Sequence, residues 1–315
     1  MQDNPSQPTF DRPFPALTSA ERCHFEIYGY VVVENTLTSD EVVACKAALY
    51  RLRSELRSLE DPSATGPRAR GAFMDINHPH HCFIANLIES EPELIAYATH
   101  PRLVGMAEEV MGEEARINEI NAHINSLDPD VDLTVAATYG FHRGADIDFS
   151  SHKRDGLFHC SFVKNLTNLT DLRPTDGGTV VIAGSHKVNL PREQIIAAAY
   201  KDRTMIHHVV APAGSTLLFA ESLIHATGRI ESDRERVILI CGYGATMLPY
   251  WEDGDVSDAF RERVPPYLRT LFLGKSHWTR NQRHRKLDQP VDDRHFVLGK
   301  WDERTRLPPR DPVRP

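Results

Sequence analysis

The 315-residue chain has the size of one large domain or two modest ones, and 41% hydrophobic residues suffice for a packed core, which excludes whole-chain disorder. Asp and Glu outnumber Lys and Arg by 44 to 36, and the net charge of −8 argues against nucleic-acid binding. No apolar run is long enough to span a membrane, the first residues lack a signal-peptide pattern, and the five cysteines are scattered singly. We therefore expect a soluble cytoplasmic protein that binds neither nucleic acid nor membrane.

The first elements along the chain are predicted from local signals. Residues 1–20 contain four prolines among polar residues, which predicts an extended arm on the surface. The β-branched and aromatic run over 25–33 predicts a strand. Thr38 and Glu41 then form a capping-box pattern that predicts the start of a helix. Spacings of three and four residues place an apolar stripe on that helix, formed by Val42, Cys45, Leu49, Leu52 and Leu56.

A second helical stretch is predicted over 91–111, with an interruption at His100 and Pro101 and an end at Gly112. Beyond it, short strand-like runs separated by turn residues predict an antiparallel sandwich or barrel. These runs are 115–120, 157–163, 178–183, 215–219 and 236–243. Helices that precede strands without βαβ alternation favour an α+β domain with a jelly-roll-like core over 21–275. An Arg- and Pro-rich tail over 276–315 is predicted to pack on the surface.

Two segments of the strand-rich half contain residues suited to one site, over 139–148 and over 217–228. Between them lies Gly177-Gly-Thr-Val-Val-Ile-Ala-Gly-Ser-His-Lys187, which is similar to a conserved NG-x-L-x-x-x-PGSHK stretch, with Asp176 and Ala183 as departures. Together these segments resemble the phytanoyl-CoA dioxygenase-like family of iron(II)/2-oxoglutarate oxygenases. The resemblance implies a double-stranded β-helix (a cupin-like jelly roll), with N-terminal helices packed on one sheet and iron at its mouth.

The resemblance also implies the site residues. His142 and His225 match the two iron ligands, and Arg236, eleven positions after His225, matches the clamp for the far carboxylate of 2-oxoglutarate. Thr227 is a candidate hydroxyl donor beside that clamp. Arg234 is a second candidate for cofactor binding, because strand alternation would place it on the same face as Arg236. The implied cofactors are Fe(II) and 2-oxoglutarate, with O2 as co-substrate.

One position departs from the family pattern. Hydroxylases of the family carry His-x-Asp, whereas here the third position is Gly144, as in iron/2-oxoglutarate halogenases, where chloride takes the place of the carboxylate. Asp146 or Asp148 could instead reach the iron from a bulged strand, which would make the protein a hydroxylase. A third alternative is a catalytically inactive jelly-roll binding protein.

Other polar residues give weaker indications. Asn121, His123 and Asn125 recur at every second position and would share one strand face, which we interpret as a solvated polar face, with a pocket wall as the alternative. The dense run over 78–82 is interpreted as a polar loop or channel wall, and metal binding there is disfavoured. We expect a small-molecule substrate that reacts at an unactivated C–H bond. The sequence does not indicate the oligomeric state.

Overall fold

The computed structural model describes residues 16–63, 71–145, 151–154, 156–250 and 256–275. The α-helices in these ranges are α1 (Ser19–Tyr28), α2 (Ser39–Arg57), α3 (Pro92–Ala98), α4 (Pro101–Met111), α5 (Arg192–Lys201), α6 (Asp258–Arg263) and α7 (Arg269–Leu273). The strands are β1 (Tyr30–Val33), β2 (Phe73–Asn77), β3 (His81–Ala85), β4 (Ala115–Asn125), β5 (Ser151–Arg154), β6 (Leu157–Cys160), β7 (Phe162–Asn168), β8 (Val180–Ile182), β9 (Ile206–His208), β10 (Thr216–Ala220), β11 (His225–Ala226) and β12 (Arg236–Ala245). No helix among the described residues is long and apolar enough to cross a membrane.

Helix α1 occupies part of the region where the composition predicts a strand. Thr18 and Glu21 form a reciprocal capping box, in which the N–H of Glu21 donates to Thr18 Oγ1 at 3.1 Å and the Thr18 N–H donates to the Glu21 carboxylate at 2.7 Å. Gly29 ends the helix in the left-handed conformation with φ of 81°. Strand β1 therefore begins only at Tyr30, and the prediction of a strand from residue 25 is wrong, because caps at both ends outweigh the strand-like composition.

The chain is already packed before α1. Ala16 and Leu17 are buried, and the Leu17 N–H donates to the Glu109 carboxylate at 2.8 Å. The prediction of an extended arm over 1–20 is thus wrong for residues 16–20, and its first fifteen residues lie outside the described ranges. The predicted tail over 276–315 also lies outside them.

The other helix predictions are confirmed. Helix α2 begins at a capping box of Thr38 and Glu41, and all five residues of its predicted apolar stripe are buried. The second helical stretch divides at His100 into α3 and α4, as the proline at 101 predicts. Gly112 ends α4 in the left-handed conformation.

The strands form two facing antiparallel sheets and a separate hairpin. The large sheet has the order β1-β10-β7-β12-β4-β3-β2, the small sheet has the order β11-β8-β9, and β5 pairs with β6. A backbone bridge between His142 and His225 extends the small sheet at β11. This α+β jelly roll is the fold class that the sequence predicts, with strands β2, β3, β5, β9, β11 and most of β7 in addition to the predicted runs.

Alternation along the strands divides the large sheet into two faces. Leu218 and Ala220 of β10 belong to the main core, which also contains the apolar faces of α2, α3 and α4. Leu217 and Phe219 belong to a second cluster that also includes Val181 of the small sheet. The helices therefore cover the outer face, and the inner face of the large sheet meets the small sheet across a layer in which polar side chains can be enclosed.

The histidine-rich run over 78–82 forms a turn and the start of β3 rather than a loop alone. The N–H of His78 donates to the His81 carbonyl at 2.9 Å, which closes the β2–β3 hairpin. The sequence did not predict this hairpin, because the polar residues over 78–82 interrupt the alternation of apolar and polar residues that indicates a strand.

Candidate functional site

A cavity of about 200 Å³ lies between the two sheets of the jelly roll. Its floor comes from inward-facing residues of β4, β7 and β12, and its other wall comes from β11 and the segment that bridges to it. The polar residues that line it are Glu119, Asn121, His123, His142, Lys164, Thr179, His225, Thr227 and Arg236. Such a concentration of polar groups between two sheets is typical of a ligand site rather than of a structural core.

His142 and His225 face each other across the small sheet. Each residue's N–H donates to the other's carbonyl at 2.9 Å, and the two ring centroids are 4.4 Å apart. The Nδ1 atoms lie 3.0 Å from the Gly140 carbonyl and 2.9 Å from the Leu223 carbonyl, respectively. Since a carbonyl only accepts, each Nδ1 carries the proton, which leaves both Nε2 lone pairs available to a metal ion.

The environment of His225 keeps its ring neutral. Burial lowers the pKa of His225 well below its usual range, and the nearby His142 and Lys164 lower it further. A neutral imidazole is the form that binds a transition metal, so the protein provides this ligand already deprotonated.

Arg236 is the most deeply enclosed cation of the cavity. It is 2% exposed, and its Nε and Nη1 have no hydrogen-bond partner among the described residues. Burial lowers the pKa of Arg236 to about 10, and no carboxylate in the described part of the chain opposes this effect. A buried guanidinium that lines a cavity and lacks such a partner is suited to a bidentate carboxylate ligand.

Two of the three alternating polar residues of β4, Asn121 and His123, line the cavity. Asn121 and Asn125 are buried, and Asn121 Nδ2 donates to the Glu119 carboxylate at 2.9 Å. His123 stacks on His81 with ring centroids 5.5 Å apart, and burial together with Arg236 lowers its pKa well below its usual range. The expectation of a solvated face is therefore wrong, because Asn121 and His123 line the cavity and Asn125, which does not line it, is buried.

The sequence did not reveal an ion network at the opposite side of the cavity. Lys164 Nζ lies 2.7 Å from Glu221 Oε1 and 3.1 Å from Glu119 Oε1. Burial lowers the pKa of Lys164, but Glu221 and Glu119 outweigh this effect and hold the pKa above its usual value. Of its three members only Glu119 lies in a predicted strand run, whereas Lys164 and Glu221 follow the runs over 157–163 and 215–219.

The structure brings most, but not all, of the predicted residues together. Thr227 lines the cavity with the two histidines and Arg236, and Gly144 lies beside the Glu221 side chain. Arg234 does not line it, because β12 begins only at Arg236 and the Arg234 guanidinium lies 3.8 Å from Asp176. Asp146 and Asp148 lie outside the described residues.

The residues of this cavity fit an iron(II) ion and a 2-oxo acid. Two imidazole Nε2 atoms are available to a metal ion, and Arg236, whose Nε and Nη1 have no hydrogen-bond partner among the described residues, lines the same cavity. Among the described residues, no group of three His, Cys, Asp or Glu side chains is already arranged around a common point.

Comparisons with known proteins agree with this geometry. The family model "Phytanoyl-CoA dioxygenase (PhyH)" matches residues 25–238. The ectoine dioxygenase of Nocardia farcinica is 26% identical over 64% of this chain and 70% of that protein. The peroxisomal phytanoyl-CoA dioxygenase of Mus musculus is 21% identical over 73% of this chain and 69% of that protein.

Among solved structures, the chain is similar to HygX from Streptomyces hygroscopicus with nickel and 2-oxoglutarate bound. The TM-score is 0.59 and the identity 24%, and the match covers 77% of this chain and 93% of HygX. This likeness establishes the jelly-roll fold, whereas the family model covers well over half of the chain and establishes the family. The chain belongs to the phytanoyl-CoA dioxygenase family of iron(II)/2-oxoglutarate-dependent oxygenases.

Proposed function

We propose that this protein hydroxylates an unactivated C–H bond of a small polar molecule, with 2-oxoglutarate as the co-substrate. The observation that carries the proposal is the buried Arg236 guanidinium, whose Nε and Nη1 are unsatisfied, in the same cavity as His142 and His225. A bound dicarboxylate would supply the missing anion and would place its 2-oxo end toward the two imidazoles. One ligand thus accounts for both features.

Each protein group has a separate task in this reaction. His142 and His225 would hold the iron through Nε2, because their Nδ1–H groups are held by backbone carbonyls. Arg236 and the Thr227 hydroxyl would bind the far carboxylate of 2-oxoglutarate. When bound, iron(II) would activate O2 for C–H cleavage while 2-oxoglutarate is converted to succinate and CO2.

Hydroxylation is favoured over halogenation by what lies beside Gly144. A Cβ built on Gly144 would lie 3.0 and 3.2 Å from the two carboxylate oxygens of Glu221. Chloride would therefore have to bind next to a buried carboxylate, and like charges at that distance repel each other strongly in a low dielectric. Halogenation remains the second candidate, because Gly144 itself matches the halogenase pattern.

The substrate class follows from the lining. Glu119, Asn121 and Lys164 present charged and amide groups to the cavity, which suits a polar molecule better than a fatty acyl chain. A structure of HygX contains hygromycin B, and ectoine dioxygenase is named for a small polar compound. A small or medium-sized polar metabolite is the substrate that these observations support.

The proposal can be tested by mixing the protein anaerobically with Fe(II) and 2-oxoglutarate and recording the visible charge-transfer absorption of the chelate. We expect a band with the native protein, no band with His225→Ala, and succinate formation when O2 is admitted with a substrate. A band that is insensitive to chloride supports hydroxylation, whereas a chloride-dependent shift supports halogenation. The absence of any band in the native protein would contradict both and would favour an inactive jelly-roll binding protein.

A further inference from the structure

The Glu221 carboxylate lies in the space that an aspartate at position 144 would occupy. A Cβ built on Gly144 would lie 2.9 Å from Glu221 Cδ, closer than real side chains approach one another. His-x-Asp members place a carboxylate at this position, and here a glycine stands there instead. A carboxylate is therefore present beside residue 144, but it comes from another segment of the chain.

Local structure explains how Glu221 reaches this point. It directly follows β10, where Leu217 and Phe219 face inward, so the same alternation directs residue 221 to the inner face. The N–H groups of Gly144 and Ala145 donate to the Glu221 carbonyl at 3.1 and 3.3 Å, which holds the two segments together. Four residues after Glu221, the chain reaches His225.

The charge environment of Glu221 is incomplete. Its side chain is 1% exposed, Oε1 lies against Lys164, and Oε2 has no hydrogen-bond partner among the described residues. Leaving a buried carboxylate oxygen unsatisfied is costly, whereas a cation beside it would compensate that cost. Lys164 is also 3.1 Å from Glu119, so it keeps one carboxylate partner if Glu221 turns away.

We propose that Glu221 supplies the carboxylate ligand of the iron, together with His142 and His225. Position 144 is glycine because a side chain there would collide with the Glu221 carboxylate. This inference rests on the proposed function, since it concerns the same metal ion. Binding would turn the Glu221 carboxylate from Lys164 toward the imidazoles, while Lys164 stays paired with Glu119. Two ligands would then come from one short segment, as Glu-x-x-x-His, and the third from His142.

The test measures Fe(II) affinity by anaerobic equilibrium dialysis, independently of catalysis. Glu221→Gln preserves the volume of the side chain and removes the charge, and we expect it to weaken Fe(II) binding by at least about 100-fold. Glu231→Gln is the matched control, because it makes the same change in a carboxylate that pairs with Arg229 at 2.7 Å and does not line the cavity, and its Fe(II) affinity should stay within about threefold of the native value. Asp146→Ala should also bind Fe(II) like the native protein.

A double variant addresses the case in which Glu221→Gln does not fold. In Gly144→Asp/Glu221→Ala, the carboxylate moves to the position that the family pattern uses, and the obstructing side chain is removed. We expect this variant to bind Fe(II) at least about tenfold more tightly than Glu221→Ala alone. No recovery would contradict the inference.

Failure of the inference is distinguishable from failure of the proposed function. If native protein binds Fe(II) and Glu221→Gln binds it equally well, Glu221 is not a ligand, although the oxygenase assignment stands. Loss of binding in Asp146→Ala but not in Glu221→Gln would assign the carboxylate to Asp146. If the native protein binds no Fe(II), the proposed function itself is refuted, and this inference with it.

Discussion

Replacing Arg236 with methionine is expected to stabilise the unliganded protein and to weaken 2-oxoglutarate binding. Burial without a counter-anion lowers the pKa of Arg236 from 12.5 to about 10, which corresponds to about 3 kcal/mol of unfavourable free energy in the folded state. Methionine replaces the alkyl part of the arginine side chain without its charge and removes that cost. We therefore expect unliganded Arg236→Met to gain up to about 3 kcal/mol in its free energy of unfolding.

In the proposed function, Arg236 and the Thr227 hydroxyl bind the far carboxylate of 2-oxoglutarate. The same substitution removes the charged one of these two groups. Losing one partner of a buried charge-assisted pair costs about 2 to 5 kcal/mol, or about 30-fold to 5,000-fold in affinity. Urea unfolding and anaerobic calorimetry measure the two effects separately. Arg234→Met is the matched control, because that partly exposed arginine pairs with Asp176 outside the cavity and should change either quantity by less than about 1 kcal/mol.

The pH dependence has a definite sign. Below pH 10 the arginine is protonated in both the folded and the unfolded protein, so the full cost applies at neutral pH. As the pH rises from 10 to 12.5 the folded state loses its proton first, and this group's contribution raises stability. The reasoning is refuted if unliganded Arg236→Met is no more stable than the native protein and binds 2-oxoglutarate with native affinity.

Three further substitutions test separate parts of the structure. His225→Ala removes an imidazole whose Nε2 is free for the metal, and Fe(II) affinity measured by dialysis should fall by at least about 100-fold. Thr38→Ala removes the capping box of α2 and should lower the free energy of unfolding by about 1 kcal/mol in urea titrations. Gly242→Ala would place a methyl group 2.6 Å from Glu119 Cγ and should lower the thermal midpoint. Gly140→Ala should not, because no atom of the described residues lies within 4 Å of its Cβ. An unchanged midpoint in Gly242→Ala would contradict the close approach.

The helices that could be predicted are those whose signals are local. The capping box at Thr38 and the apolar spacing of α2 are contained in a few turns of chain, and the structure confirms both. The error over 25–33 arose where two local signals compete, because aromatic and β-branched residues occur inside a segment that is capped at Thr18 and ended by Gly29. Capping geometry was decisive there, and composition was not.

The site was predictable only in part, because the sequence does not show which residues of neighbouring strands lie opposite one another. Motif spacing singled out His142, His225 and Arg236, and the structure places all three at one cavity. The network around Lys164 depends on which residues of β7, β10 and β12 lie opposite one another, and pairs such as Gly242 and Lys164 are set by strand pairing. Sequence patterns indicate which face a residue takes but not its neighbours across the sheet.

The contact between Gly144 and Glu221 also constrains how this site can change by mutation. Aspartate introduced at 144 meets the Glu221 carboxylate, so a single replacement there brings two acidic groups into one enclosed space. A lineage moving between the two arrangements is expected to shorten residue 221 before it gains a carboxylate at 144. The two positions should therefore be inherited as a pair, and relatives with a glutamate at the position of 221 should retain glycine at the position of 144.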